Sequence, residues 1–135
     1  MYGDETGEAG LRGPGTHASK EKAAKALQQF TKGMKEFKAN NFGLAVDPLA
    51  DAVRLDPSTA QYQFYYGVSL AHIAQRRKEA EAPLRKALEL DGSKIEHHLE
   101  LGNLYLTMGL KAKALGVLNN ALLRHPNAAK IREAI

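Results

Sequence analysis

Two adjacent histidines, His97 and His98, flanked by Glu96 and Glu100, are the densest group of potential ligands in the chain. A metal needs donors that converge on one point. Successive helical residues point about 100° apart, and no histidine lies four residues from either one. Glu96 and Glu100 share a helical face, but no histidine joins them there. These spacings fit surface or internally hydrogen-bonded histidines, and no metal site is expected. Nothing resembles a Ser-His-Asp set, a paired-carboxylate site or a phosphate-cradling glycine loop, and the early glycines lack any strand–helix context. The absence of cysteine excludes thiol catalysis, a disulfide framework and cysteine-ligated zinc. The chain is expected to be neither an enzyme nor a holder of a cofactor or small-molecule substrate.

Charge is the other chemistry available. Lys20, Lys22, Lys25, Lys32, Lys35 and Lys38 recur with only Glu21 and Glu36 opposing them, and Arg76-Arg77-Lys78 forms a second cluster. Without an aromatic stacking motif, such lysines fit a solvated face better than a nucleic-acid surface. The net charge of +4 divides into about −2 over residues 1–18 and about +6 over the rest.

These residues must be positioned by a chain of 135 residues, enough for one domain with a core. Residues 1–18 contain five of the twelve glycines, one proline and almost nothing apolar, and are expected to form a disordered tail or linker. The N-terminus lacks the basic start and apolar centre of a signal peptide, and no run is long enough for a membrane span. A cytoplasmic setting is expected.

From Ser19, a candidate N-cap, the apolar residues adopt a helical period at Ala23, Ala26, Leu27, Phe30, Met34 and Phe37. A break at Asn40-Asn41 precedes a second helical stretch that ends at Pro57. The pattern recurs twice. Helices near 59–75 and 78–91 flank Gln75-Arg76-Arg77 and end at Asp91-Gly92; helices near 95–108 and 111–124 flank Gly109 and end at His125-Pro126. No alternating strand pattern is present. The fold class is all-α.

Internal periodicity sharpens that reading. Gly33, Gly67 and Gly102 lie 34 and 35 residues apart. Gly33 is followed by Ala45, Leu49, Ala52 and Pro57, and Gly102 by Ala114, Leu118, Ala121 and Pro126, at intervals of 12, 4, 3 and 5. Gly67 is followed by Ala80, Leu84, Ala87 and Gly92, with one extra residue that a loop at 75–77 can absorb. Antiparallel helices joined by a short turn need small residues where their backbones approach. One such pair cannot bury its apolar face alone, so units stack into a shared core.

A period of this length carrying Gly, aromatic, Ala, Leu, Ala and Pro resembles the tetratricopeptide repeat. The third unit matches best, from Leu101-Gly102-Asn103-Leu104-Tyr105 through Ala114, Leu118, Ala121-Leu122 and Pro126. The resemblance covers about 26–126. Its departures are the polar Gln29, Lys32 and Glu36 in unit one, Gly92 in place of proline, and Pro48 and Pro83 early in second helices. It implies a right-handed superhelical stack with units at about 26–59, 60–94 and 95–128. Residues 129–135 would form a partial capping helix, with Ile131 and Ile135 covering unit three.

In the family resembled, the first helices of successive units line a concave groove that holds a partner peptide or helix. The matching positions are Leu27, Phe30, Met34 and Phe37; Gln61, Phe64, Val68 and His72; and Glu96, Leu99, Asn103 and Leu106. The competing demand is burial, since Phe30 and Phe37 could equally join the core. A clamp for acidic chaperone tails would fall at Phe30, Met34, Tyr65, Glu96 and Glu100, none of which supplies a cation or amide. The expected function is therefore a protein-interaction module with a largely apolar groove, in a co-chaperone or assembly adaptor, as a monomer or weak homodimer. Two other readings stay open: a self-associating structural repeat domain of a larger protein, and a basic-surface nucleic-acid binder.

Overall fold

The structure is a computed structural model that describes residues 17–135. The chain runs α1 (His17–Lys38), α2 (Phe42–Leu55), α3 (Ala60–Ala71), a 3-10 helix (Ala74–Ala80), α4 (Glu81–Leu90), α5 (Ile95–Thr107), α6 (Lys111–Arg124) and α7 (Ala129–Ala134). No strand occurs among the described residues. The helices pair as α1–α2, α3–α4 and α5–α6, and each pair stacks on the next, giving an all-α superhelical stack.

The periodic glycines explain the pairing. A Cβ built on Gly33 would lie 2.5 Å from Cγ of Leu49, on Gly67 2.7 Å from Cγ of Leu84, and on Gly102 2.8 Å from Cδ2 of Leu118. In each unit the leucine of the second helix therefore fills the space that the missing side chain leaves on the first. Leu49, Leu84 and Leu118 are fully buried, as are Ala45, Ala80 and Ala114. The largest apolar cluster runs through Val46, Val68, Leu70, Leu84, Leu101 and Tyr105, so one core crosses all three pairs.

Turns within units one and three share one geometry. Asn40 and Gly109 adopt φ of 62° and 77°, the left-handed region that glycine and asparagine tolerate best. Around them the amides of Asn41 and Leu110 donate to the Glu36 and Tyr105 carbonyls, and those of Asn40 and Gly109 to the Phe37 and Leu106 carbonyls, closing α1 and α5. Unit two places Ala74 at the equivalent position, where a methyl group opposes that conformation. There the chain winds into the 3-10 helix, so the loop expected at 75–77 is helical and α3 ends at Ala71 rather than near 75. Pro83 is the third residue of α4, just after the 3-10 helix, whereas Pro48 lies well inside α2.

Between units, Asp56 and Asp91 accept from the Ser58 and Ser93 amides at 3.3 and 3.0 Å, and from the same serines' hydroxyls. The fourth residue of each following helix tethers that loop. Gln63 Nε2 donates to the Pro57 carbonyl at 2.9 Å, His98 Nε2 meets the Gly92 carbonyl at 3.0 Å, and an Arg132 guanidinium nitrogen donates to the Pro126 carbonyl at 2.5 Å.

At the N-terminal end, α1 already includes His17 and Ala18, and Ser19 lies inside the helix instead of capping it. Neither His17 nor Ala18 opposes helix formation; the strong breakers are Gly13, Pro14 and Gly15. The remainder of the expected tail, residues 1–16, lies outside the described residues.

Candidate functional site

The first helices of the three pairs, α1, α3 and α5, frame three depressions, two of which share lining residues. One, of about 510 Å³, lies between α1 and α3 and is lined by Leu27, Phe30, Met34, Lys35, Lys38 and Tyr65, among others. A second, of about 520 Å³, lies between α3 and α5 and is lined by Gln61, Phe64, Tyr65, Glu96 and His97, among others. Gln61 and Tyr65 border both, so the two form one groove. A smaller cavity of about 270 Å³ opens near the ends of α3 and α5, between His72, Arg77, Glu100, Asn103 and Thr107.

An aromatic seam runs between the first two units and into the groove at Phe30, Phe64 and Tyr65. Phe30 stacks on Tyr62 with ring centroids 4.7 Å apart and rings tilted by 34°, and Phe64 stacks on His97 at 4.8 Å and 31°. These are the same two positions one repeat apart, so the contact is a periodic junction between units. At the third junction Leu99 and the fully buried Ile131 of α7 join one aliphatic cluster with Leu118 and Ala121. From Tyr65 the seam continues edge-on to Phe37 at 5.0 Å, then to Phe42 at 5.4 Å. Phe42 in turn stacks in parallel on His72 at 4.0 Å.

The expected groove residues therefore divide. Leu27 (56% exposed), Phe30 and Met34 line the α1–α3 depression, and His72 and Asn103 line the small cavity. Phe64 lines the α3–α5 depression while packing on His97. Val68 is a correction: it is only 6% exposed and belongs to the core, because α3 has neighbours on both sides. Phe37 also packs against that core, and Leu99 packs under the α7 cluster instead of facing an open groove. Leu106, 39% exposed, borders none of these three cavities.

Thr31, Tyr65 and Glu100 line the cavities but fall outside the expected groove set. Each lies two residues before a periodic glycine, so the repeat register held the signal. The six lysines of α1 are exposed; Lys35 and Lys38 rim the groove. Of the polar Gln29, Lys32 and Glu36, Glu36 accepts from Asn41 Nδ2 at 3.1 Å and braces the turn.

Electrostatics differ along this surface. Burial pushes the Glu100 carboxyl up from its ordinary range, with the His72 imidazole pulling the other way. Away from the groove, Glu81 is held down first by the Tyr105 hydroxyl, which donates to it at 2.6 Å, and then by Arg85. The Tyr105 hydroxyl is pushed up to about 12, first by burial and then by that bond. This cluster ties α4 to α5, and Lys113 of α6 adds its charge at 3.9 Å. His98 is held below its ordinary value by burial, and its Nδ1 is buried without a hydrogen-bond partner. Among the described residues, no helix is long and apolar enough to cross a membrane, and no three His, Cys, Asp or Glu side chains converge on a metal position.

No family model matches the sequence. Solved structures do match. The Arabidopsis OM64 tetratricopeptide (TPR) domain superposes with a TM-score of 0.75 at 18% identity, covering 84% of this chain and 93% of that one. The second TPR domain of human RPAP3, solved in complex with the HSP70 peptide SGPTIEEVD, gives 0.72 at 19% identity, covering 86% and 93%. YrrB, described as a TPR protein with an unusual peptide-binding site, gives 0.75 at 23% identity, covering 82% of this chain and 56% of that one. This chain has the tetratricopeptide-repeat fold. At these identities the likeness is one of architecture. After the third pair, α7 packs against α5 and α6.

Proposed function

We propose that this TPR domain is a protein-interaction module that binds an apolar or amphipathic segment of a partner protein along α1 and α3. The observation that carries the reading is the depression of about 510 Å³, which the exposed Leu27 and the half-buried Phe30 and Met34 line beside Tyr65. Methionine and aromatic side chains suit an adaptable apolar surface, and helix-in-groove or extended-segment docking both use such anchors. Peptide complexes of structural neighbours add support, since RPAP3 domains were solved with HSP90 and HSP70 peptides. Those peptides end in Glu-Glu-Val-Asp, and here the matching clamp positions are Phe30, Met34, Tyr65, Glu96 and Glu100. Two carboxylates and three uncharged side chains do not hold an acidic tail, so an apolar segment is the better fit. A co-chaperone or assembly adaptor working in the cytoplasm is the setting this reading favours.

A peptide library displayed against the domain, followed by calorimetric titration of the selected sequences, tests the proposal. Selected peptides should carry apolar anchors, and Met34→Glu or Leu27→Glu should weaken their binding at least about tenfold, the cost of one desolvated anchor. Peptides bound equally well by both variants would overturn it.

A further inference from the structure

The small cavity between α3 and α5 is not explained by an apolar partner alone. Glu100 lies in it partly buried, and among the described residues no hydrogen bond or ion pair holds its carboxylate. Desolvating an unpaired carboxylate is costly, and the His72 imidazole offsets that only in part. Arg77 borders the same cavity, but its Nε donates to the Ala71 carbonyl at 3.2 Å and its guanidinium makes no ion pair with Glu100. Ala71 and Leu104 supply apolar walls, while Asn103 and Thr107 give the rim polar groups. At about 270 Å³ the space is too small for a helix and large enough for one long side chain. Lysine and arginine match this arrangement, with an aliphatic stem for the walls and a cationic head for the carboxylate.

Building on the peptide-binding reading above, we infer that Glu100 is a specificity-determining residue that receives a lysine or arginine side chain of the partner. The charge pattern agrees. Lys35 and Lys38 rim the α1 side of the groove, whereas α5 contributes Glu96 and Glu100, with Lys94 lining the same depression as Glu96 and Arg77 the same cavity as Glu100. A bound segment is thereby oriented, with its cationic residue towards α5 and its apolar anchors towards α1. Discrimination against a segment lacking the cation follows, because the carboxylate would then be covered and left unpaired.

Two measurements test this separately from the groove itself. In the first, methylguanidinium is titrated into the free domain while NMR follows the Glu100 carboxyl carbon and the Asn103 and Thr107 amides. Saturable shifts are expected at all three places, with the amide shifts lost in Glu100→Gln. Shifts that rise linearly and equal those at the exposed Glu89 and Glu133 would overturn the inference. In the second, library-selected peptides are remade with norleucine in place of lysine, or citrulline in place of arginine. Affinity should fall about tenfold or more for the wild-type domain and stay nearly unchanged for Glu100→Gln. Equal losses in both proteins, or a library without enriched basic residues, would refute the role of Glu100 and leave the apolar groove standing. A library that yields no binder refutes the groove, and the methylguanidinium titration then still decides whether Glu100 holds a cation.

Discussion

Replacing Gly67 by alanine should destabilise the domain, whereas the same replacement at Gly116 should stabilise it. An added Cβ at Gly67 lies 2.7 Å from Leu84 Cγ, 2.8 Å from its Cδ2 and 3.2 Å from its backbone nitrogen. Cγ is the branch point of a fully buried side chain, so it cannot swing clear as a flexible tip would. Relieving the clash requires α3 and α4 to separate, and α3 is held by units on both sides. Overpacking of this kind costs about 1–3 kcal/mol. Alanine in place of glycine in a helix interior returns about 1 kcal/mol. Gly116 lies in the exposed middle of α6 with nothing within 4 Å of an added Cβ, so only the favourable contribution applies there. The difference between the two variants isolates the clash, at about 1–3 kcal/mol. Urea unfolding followed by far-ultraviolet circular dichroism measures both. Two variants that agree within about 0.5 kcal/mol would refute the view that these glycines exist to admit the leucines.

Three further outcomes follow from the contacts described above. Tyr105→Phe removes the hydroxyl that donates to Glu81 while leaving the Arg85–Glu81 pair, and should cost about 1.5 kcal/mol by urea unfolding near neutral pH. Because the folded state raises the Tyr105 pKa to about 12, that contribution is present below the unfolded value near 10 and fades as pH climbs towards 12. His98, whose folded pKa is lowered by burial, works in the opposite sense. Its stabilisation is present above the unfolded value of 6.5 and is lost as pH falls below it. His98→Gln keeps a carbonyl tether of the kind Gln63 makes, and should flatten the decline in thermal midpoint between about pH 7 and 5. Ile131→Ala opens the cluster shared by Leu118 and Ala121 and should cost about 2–4 kcal/mol, a loss that calorimetric unfolding would register.

By itself the sequence determined most of the helices, their pairing and the period, because glycine, alanine, leucine and helix stops recur at the local spacings of a helix–turn–helix unit. It also placed most of the potential groove on α1, α3 and α5. Which side chains of those helices stay open was decided by tertiary structure. Met34, Val68 and Asn103 occupy one repeat position, yet Met34 lines a depression, Val68 is buried core and Asn103 is exposed. The reason is neighbourhood: a unit with partners on both sides must bury what an end unit leaves in water. Ala74 is a different case: glycine or asparagine stands at its position in the other two units, so the departure to a 3-10 helix was written locally in the sequence. Glu100 follows Val68 instead, since its place beside the glycine was written in the repeat register but its desolvation depended on α3 packing alongside.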